Sequence, residues 1–386
     1  MNNLKRILKT FFSGYIIGFI VCIVIFSYSF ENLEKEELLK EYNDKLGEIN
    51  LKKILLFNPF FSDRYYEFGH GSMPFKKHNC KISNCFLTDD HHLFKWEEYD
   101  AVIFHWPKLR GDPSVWSNKI TKERQEHQRY VFFSLESPPN YRNDYSHFKN
   151  FFNWTMSYRE DSDVYTRHGA VQPVNSSSKT SPINFVKKTK LISWFVSRCR
   201  SVSKREKYVK KLQKYISVDI YGYCGPFKCG RFGLRLKHMN CDEILRGYKF
   251  YLSLENSICK DYVTEKFYTA LQHDTVPIVI GDSEFYKRNA PAGSYIDAQD
   301  YDPESLANYI YYLNSNETAY QEFFSWRKTH VSYMYSSLPP LLLCNLCERL
   351  NIDNRTKIIS DIGSYWADGK CKSPTYFSQL SFLDYL

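Results

Sequence analysis

The chain has 386 residues, of which 43% are hydrophobic and 25% are charged, a composition that is typical of globular proteins and excludes a largely disordered or fibrous chain. The net charge of +9 raises nucleic-acid binding as an alternative. However, part of this charge comes from Lys5, Arg6 and Lys9 at the N-terminus, and the remainder shows no Arg/Gly-rich pattern, so no nucleic-acid partner is predicted.

An uncharged stretch, 11–30, is long enough to cross the hydrocarbon core of a bilayer as a helix. Basic residues precede it and acidic residues follow it, which predicts a cytoplasmic N-terminus and a lumenal remainder. A cleaved signal peptide is the alternative, but the apolar run is longer than usual and no small-x-small cleavage site follows it. We therefore predict a cytoplasmic tail at 1–10, an uncleaved transmembrane anchor at 11–30 and a charged stem at 31–51.

Four N-glycosylation sequons lie beyond the anchor, where a lumenal chain would be accessible to glycosylation; they begin at Asn153, Asn175, Asn316 and Asn354. Ten cysteines also follow the anchor. An even set in an oxidising compartment predicts disulfides, although the pairing cannot be deduced. The spacing Cys344-x-x-Cys347 leaves zinc as an alternative, which is weakened because no second ligand pair follows at knuckle spacing.

Three apolar runs, at 53–57, 100–105 and 130–135, are separated by stretches long enough for crossover helices and predict an α/β domain over 52–181. The third run leads to Glu136, and the prolines at 138 and 139 then force the chain to turn. A carboxylate at the carboxyl end of a strand, beside an abrupt turn, is well placed to act as a general base. A surface glutamate in a loop is an equally good interpretation from position alone.

A serine-rich stretch, 170–181, predicts a linker to a second α/β domain over 182–340. Its first strand is predicted at 191–196 and leads through a turn of small residues into a basic helix at 204–215. Arg205 lies in the first turn of this helix, where a guanidinium could bind a diphosphate through two hydrogen bonds. Most of the other cations on this helix are expected to be solvated.

The pattern of 250–281 predicts a βαβ unit, with apolar strands at 250–254 and 276–280 on either side of a helix that starts near Val263. Asp261 and Thr264 are candidate caps of this helix, and Glu265 and Lys266 lie in its first turn. Such a strand-to-helix corner presents free backbone N–H groups and a positive dipole end to phosphates. A phosphate-bearing ligand is therefore predicted, against the alternative of a solvated lysine on a helix face.

Three motifs of this unit resemble the donor-site motifs of the α1,3-fucosyltransferases, glycosyltransferase family 10: L-E-N-S at 254–257, D-Y-V-T-E-K at 261–266 and V-P-I-V-I-G at 276–281. The first half resembles the same family in E-S-P at 136–138 and in F-N-W-T-M-S-Y-R-E-D-S-D at 152–163. The resemblance extends to a C-terminal cysteine-containing segment, 341–386, and is weakest over 63–94. It departs from the family at His105-Trp106 and Arg167-His168, which leaves the choice of acceptor open.

The resemblance implies a GT-B fold, in which two Rossmann-like α/β domains face each other across a cleft, preceded here by a single transmembrane helix. It also implies an inverting α1,3-fucosyltransferase that moves L-fucose from GDP-β-L-fucose to a GlcNAc hydroxyl, in lactosamine-type glycans or in the N-glycan core. Glu136 is then expected to be the catalytic base. The residues expected to bind GDP-fucose are Arg205, Asn256, Tyr262, Glu265 and Lys266.

The implied chemistry requires no cofactor, and a divalent cation is expected to stimulate it at most, because Arg205 and Lys266 can stabilise the leaving diphosphate. Together with the anchor, the resemblance implies a single-pass type II protein of the Golgi membrane with a lumenal catalytic part. Two alternatives are another inverting GT-B transferase with a different nucleotide sugar and a catalytically silent lumenal glycan-binding protein. The intact set of Glu136, Arg205, Glu265 and Lys266 argues against the silent protein.

Overall fold

The structure, a computed structural model, describes residues 51–60, 68–109, 120, 124–141, 144–174, 188–230, 240–334 and 340–372, together with the single positions 36, 38, 40 and 42. The predicted anchor at 11–30, most of the predicted stem and the sequon at Asn175 lie outside these residues. In the part of the chain that is described, no helix combines the length and the apolar composition needed to span a membrane.

The described strands form two parallel sheets and one small antiparallel pair. In chain order they are β1 Lys52–Leu56, β2 Cys85–Thr88, β3 Ala101–His105, β4 Arg129–Ser134, β5 Trp154–Ser157, β6 Val164–Tyr165, β7 Gly169–Pro173, β8 Lys190–Phe195, β9 Asp219–Tyr221, β10 Tyr248–Leu254, β11 Val276–Ile280, β12 Ile296–Asp297 and β13 His330–Met334. The first sheet has the strand order β2-β1-β3-β4-β5-β6, and the second has the order β12-β11-β10-β8-β9. The predicted α/β class with parallel sheets is therefore confirmed.

The α-helices connect or flank these strands. They are α1 Met73–Lys77, α2 Arg205–Leu212, α3 Cys241–Leu245, α4 Glu265–Gln272, α5 Ser283–Asn289, α6 Pro303–Ser315, α7 Glu317–Glu322, α8 Pro340–Ile352 and α9 Ile362–Trp366. The predicted βαβ unit is confirmed, because β10 and β11 pair in parallel on either side of α4. Every residue of β11 is buried, as expected for a parallel strand in the interior of an α/β layer.

The C-terminal segment, predicted as a separate tail, packs back on the first sheet. Leu343 and Leu346 of α8 belong to the same buried cluster as Ile54 of β1, and the fully buried Trp366 of α9 packs against Phe132 of β4. The first sheet thus obtains part of its cover from the far end of the chain.

Five disulfides join all ten of the cysteines that follow position 30, so the prediction of disulfides is confirmed. They are Cys80–Cys344, Cys85–Cys347, Cys199–Cys224, Cys229–Cys241 and Cys259–Cys371. The zinc alternative at Cys344-x-x-Cys347 is wrong, because both sulfurs are bonded to cysteines near the start of the first sheet.

Two of these bridges close almost the same loop, since Cys80–Cys344 and Cys85–Cys347 have sequence separations of 264 and 262. We expect replacement of either pair by alanine to cost little loop-closure entropy, because the other bridge still closes the loop. Replacing both pairs should cost about 5 kcal/mol in the free energy of unfolding. Denaturant titration of the two double variants and the quadruple variant tests this, and losses that simply add would contradict it.

The predicted linker, 170–181, begins as a strand, because β7 pairs antiparallel with β13 from Gly169↔Met334 to Pro173↔His330. Gly169 allows a close approach here: a Cβ at this position would come within 2.3 Å of the ring of Tyr268. The remainder of the predicted linker from 175 onward lies outside the described residues.

The sequons differ in accessibility. Asn153 is 6% exposed; its Oδ1 accepts from the Tyr130 backbone N–H at 2.7 Å and its Nδ2 donates to the Lys357 carbonyl at 2.8 Å. A glycan would displace these contacts, so the structure argues against the prediction of Asn153 as a glycosylation site. Asn316 is half-buried and Asn354 is exposed.

Candidate active site

Glu136 lies just beyond β4, at the carboxyl edge of the first sheet, where a short 3-10 turn over Pro138–Asn140 redirects the chain. Its half-buried carboxylate accepts two hydrogen bonds at Oε2, from the Tyr262 hydroxyl at 3.3 Å and from Asn140 Nδ2 at 3.2 Å. Within the described residues no group donates to Oε1. One oxygen is thus held in place, and the other is available to an incoming proton.

A second carboxylate, Glu255, directly follows β10 at the corresponding edge of the second sheet and is completely buried. Its Oε1 accepts from the backbone N–H of Thr264 at 2.8 Å and from the Thr264 hydroxyl at 2.9 Å. Its Oε2 accepts from Lys266 Nζ at 3.1 Å. Glu255 therefore joins the end of β10 to the start of α4 and pairs with the lysine of that helix.

Lys266 is surrounded by acceptors. Besides Glu255, its Nζ donates to the Thr264 hydroxyl at 2.6 Å and to Glu265 at 3.3 Å. Burial alone would lower the pKa of Lys266, but the carboxylates of Glu255 and Glu265 outweigh burial and place its pKa above the ordinary value. Lys266 is therefore a fixed positive charge at the N-terminus of α4.

Glu265 occupies the same corner but is more open, with 38% of its side chain exposed. Desolvation alone would raise the pKa of Glu265, yet Lys266 and then His168 outweigh it and lower this pKa to about 2. His168 Nδ1 lies 3.9 Å from the Glu265 carboxylate, and its Nε2 contacts the Leu135 carbonyl at 2.9 Å. Glu265 is thus an ionised acceptor at the mouth of the site.

Arg205 is the first residue of α2 and is only 4% exposed. Its guanidinium donates to the carbonyl of Leu254 at the end of β10 and lies over the ring of Trp194. Burial lowers the pKa of Arg205 from its ordinary value, but a guanidinium remains charged. Nε has no hydrogen-bond partner within the described residues, so part of a buried cation is left for an anion.

The structure brings Arg205 and Lys266 to the same end of β10, since Arg205 donates to the Leu254 carbonyl and Lys266 Nζ donates to the carboxylate of Glu255, the next residue. The two sequence-predicted diphosphate ligands therefore come from different helices, α2 and α4, and meet at the carboxyl end of β10. This is the edge at which open α/β sheets bind their ligands.

Contacts between the two sheets complete the arrangement. Asn140 Nδ2 donates to Asn256 Oδ1 at 2.9 Å, and the Ser137 hydroxyl donates to the Ser257 hydroxyl at 2.9 Å. The segment after β4 thus touches the segment after β10 through side chains, which places Glu136 next to the Glu255–Lys266 corner.

Tyr262 differs from its expected role in holding sugar or nucleoside hydroxyls. The side chain is 1% exposed, its ring packs on Tyr158 at 4.8 Å between centroids, and its hydroxyl donates to Glu136. Burial, followed by the charge of Glu136, raises the pKa of Tyr262 well above its usual value. Tyr262 is therefore a neutral hydrogen-bond donor that orients the Glu136 carboxylate.

The start of α4 also corrects the sequence prediction, because the helix begins at Glu265 rather than near Val263. The Thr264 hydroxyl donates to Glu255 and makes no cap hydrogen bond with the helix. Asp261 lies outside the helix in the left-handed region, with φ of 61°, and its carboxylate accepts from the Glu160 backbone N–H and from Arg288. Both predicted caps are thus used for tertiary contacts.

Sequence reasoning assigned no role to Glu255 or Asn140, and it assigned Thr264 only the role of a helix cap. Glu255 carries part of the signal that singled out Glu136, namely a carboxylate directly after an apolar run that is predicted to be a strand. Asn140 carried no such signal, because its partner Asn256 is 116 positions away. In the described part of the chain, no cluster of three or more His, Cys, Asp or Glu side chains is arranged to hold a metal ion.

Two family models match the chain over most of its length. The model described as "Glycosyltransferase family 10 (fucosyltransferase) C-term" matches residues 185–366, and that described as "Fucosyltransferase, N-terminal" matches residues 49–169. The chain belongs to glycosyltransferase family 10. The family resemblance seen in the motifs is thereby confirmed, and the protein is a glycosyltransferase.

Individual members of family 10 agree with this assignment. Alpha-(1,3)-fucosyltransferase C of Drosophila melanogaster is 33% identical over 348 residues, covering 82% of this chain and 77% of the relative. Human 4-galactosyl-N-acetylglucosaminide 3-alpha-L-fucosyltransferase FUT5 is 34% identical over 287 residues, covering 74% of this chain and 73% of the relative.

Crystal structures of an α1,3-fucosyltransferase share the fold. The structure without a named ligand superposes with a TM-score of 0.52 at 19% identity, and that with GDP-fucose with a TM-score of 0.51 at 19% identity. Each match covers 80% of this chain and 92% of the other. At this identity the likeness establishes the family 10 fold alone.

Proposed function

We propose that this protein is an inverting α1,3-fucosyltransferase that moves L-fucose from GDP-β-L-fucose to a GlcNAc hydroxyl of a glycan. The observation that carries the proposal is the placement of the half-buried carboxylate of Glu136 next to a corner that holds Arg205 and Lys266. The fly and human relatives are fucosyltransferases that form 1,3 linkages, which supports the transferred sugar and the linkage. The acceptor is a lactosamine-type glycan or the N-glycan core.

The reaction needs one base and one charged site. Glu136 Oε1 takes the proton of the acceptor hydroxyl while that oxygen bonds to the anomeric carbon of fucose. The bond from this carbon to the β-linked diphosphate breaks, the electron pair leaves with GDP, and the single displacement yields an α-fucoside. Arg205 and Lys266 stabilise the negative charge that develops on the diphosphate.

Donor binding requires an exchange at Lys266. Its three N–H donors are directed at Glu255, Thr264 and Glu265, so a phosphate oxygen has to replace one of these acceptors. The contact with the exposed Glu265, at 3.3 Å, is the longest. We infer that the diphosphate takes this place, and that the released Glu265 then accepts a hydroxyl of the donor.

Architecture and location belong to the same proposal. Two parallel sheets whose carboxyl edges meet at the site are consistent with a GT-B enzyme, with the acceptor on the first sheet and GDP-fucose on the second. The uncharged stretch at 11–30 then serves as a signal anchor of a type II Golgi membrane protein. The five disulfides support a lumenal, oxidising environment for the catalytic part.

The donor specificity is tested with the chain from residue 51 onward in a transfer assay that compares GDP-fucose, GDP-mannose and UDP-sugars on lactosamine and N-glycan core acceptors. The proposal expects transfer from GDP-fucose alone, and retained activity in a chelator, because Arg205 and Lys266 supply the positive charge. Transfer from another donor identifies a different transferase. Complete loss of activity in the chelator contradicts the cation-only scheme.

Asn140 is expected to be a positioning residue for this reaction, since its amide contacts both Glu136 and Asn256. We expect Asn140→Ala to lower kcat by about tenfold, the value of one hydrogen bond to a charged group, with little change in KM for GDP-fucose. Steady-state kinetics measures both constants. Ser257→Ala is the matched control, because it also removes a contact between the sheets but leaves Glu136 untouched. An equal loss of kcat in both variants contradicts the assignment.

A further inference from the structure

A stack of tyrosine rings lies in the second half of the chain, outside the active-site motifs. It consists of Tyr301, Tyr309 and Tyr312, which we call the tyrosine ladder. The ring centroids of Tyr301 and Tyr309 are 5.6 Å apart with an interplanar angle of 7°, and those of Tyr309 and Tyr312 are 6.3 Å apart with an angle of 16°. Tyr312, at the outer end, is 52% exposed.

Asn316 stands one helical turn beyond Tyr312, between α6 and α7. Its Nδ2 donates to the Tyr312 hydroxyl at 3.1 Å, and its Oδ1 accepts from the Ala319 backbone N–H at 3.0 Å, capping α7. Glu317 and Thr318, which are both exposed, complete an N-x-T sequon with the half-buried Asn316. The amide nitrogen, the atom that receives a glycan, is therefore directed toward the end of the ladder while the oxygen is held by the helix.

We propose that Asn316 carries an N-linked glycan whose first GlcNAc packs against the exposed ring of Tyr312, with Tyr309 and Tyr301 stacked behind that ring. The apolar C–H face of a pyranose and the face of an aromatic ring are complementary, and a stacked ring is held in one orientation. The glycan also exchanges one exposed hydrogen bond, from Nδ2 to the Tyr312 hydroxyl, for this contact. The proposal rests on the lumenal placement of the catalytic part.

The attachment follows the ordinary chemistry of a sequon. Nδ2 of Asn316 bonds to C1 of the first GlcNAc of a polyprenyl-diphosphate-linked oligosaccharide. The bond from C1 to the diphosphate breaks, the diphosphate leaves with the electron pair, and Nδ2 gives up one proton. Because Oδ1 and not Nδ2 caps α7, the cap remains after the reaction.

Asn354 provides the contrast. It also begins a sequon and is exposed, but the contacts next to it are ionic, because Arg355 and Arg349 both pair with the carboxylate of Asp353. A glycan at Asn354 therefore lies beside a cluster of charged side chains, whereas one at Asn316 lies beside the ladder. Comparing the two sequons therefore distinguishes the general effect of a glycan on stability from the effect of packing a glycan against the tyrosine ladder.

The test expresses the full chain in a eukaryotic secretory host and measures site occupancy by glycopeptide mass spectrometry and the melting temperature of each variant. Thr318→Ala removes the glycan at Asn316 without touching the cap, Tyr312→Ala removes the stacking face, and the two are combined. Thr356→Ala removes the glycan at Asn354 as a control. Enzymatically deglycosylated samples show how much each substitution changes the melting temperature by itself, without a glycan.

We expect an occupied Asn316, and a loss of about 2 °C in melting temperature for Thr318→Ala. This loss should disappear in the Tyr312→Ala background, and Thr356→Ala should show none. An unoccupied Asn316 beside an occupied Asn354, or an equal loss for Thr318→Ala in both backgrounds, overturns the inference while leaving the proposed lumenal enzyme intact. If Asn316 is unoccupied, the inference fails; if none of the four sequons is occupied, the lumenal placement fails as well, whereas fucosyl transfer is judged by its own assay.

Discussion

Glu136→Gln is expected to lower kcat for fucosyl transfer by about 10²–10⁴-fold, the usual contribution of a general base. The amide oxygen of glutamine can still accept from Tyr262 and Asn140, which hold Oε2 of the glutamate. The local structure should therefore be kept while the ability to take a proton is lost. An assay of fucosylated product measures the turnover of the variant, and calorimetric titration with GDP-fucose measures its donor binding separately.

The control for this variant is Glu126→Gln, which makes the same change at an exposed glutamate of the same half. It should retain full activity. Donor binding should be nearly unchanged in both variants, because the predicted donor ligands come from the second half. Turnover of Glu136→Gln within tenfold of the wild-type value would remove Glu136 from the role of base.

Lys266→Met is expected to have two separate effects. It should abolish measurable transfer, because the leaving diphosphate loses one of its two cations. It should also lower the free energy of unfolding by about 3–5 kcal/mol, since Glu255, which is completely buried, would be left as an uncompensated charge. Denaturant unfolding and product formation measure these effects independently.

The double variant Glu255→Gln/Lys266→Met separates stability from chemistry. Removing both charges of a buried pair avoids the unpaired charge, so most of the stability lost in the single variant should return. The amide of glutamine can still accept from Thr264, which preserves the connection between β10 and α4. Transfer should remain absent. Recovery of activity together with stability would show that Lys266 acts only through folding and not on the diphosphate.

The parallel strands could be predicted from the sequence because their apolar runs are short, uninterrupted and bounded by turn residues. The strand β11 was predicted with the bounds it has in the structure, and β10 begins only two residues earlier than predicted. The start of α4 was harder to predict. Thr264 and Asp261 are residues that cap helices, but the same oxygen atoms bind other partners here, and a local pattern cannot distinguish these uses.

Features that depend on contacts between residues far apart in the chain could not be predicted from the sequence. The return of the C-terminal segment to the first sheet depends on cysteines more than 260 positions apart. The burial of Asn153 depends on Lys357, although its sequon looks like any surface sequon. Of the site itself, the charged residues were recognisable at the ends of strands and the starts of helices. The neutral groups that orient Glu136 were not, because Tyr262 and Asn140 are recognised only by what they touch.

The most direct test of the proposed mechanism is a crystal structure of the Glu136→Gln variant with GDP-fucose and a glycan acceptor bound. The account predicts that the diphosphate contacts both Arg205 and Lys266 and has displaced Glu265 from Lys266. It also predicts that the acceptor hydroxyl lies within hydrogen-bond distance of the amide at position 136, on the side of the anomeric carbon opposite the diphosphate. A diphosphate bound away from Arg205 and Lys266, or an acceptor hydroxyl beyond reach of position 136, would contradict the account.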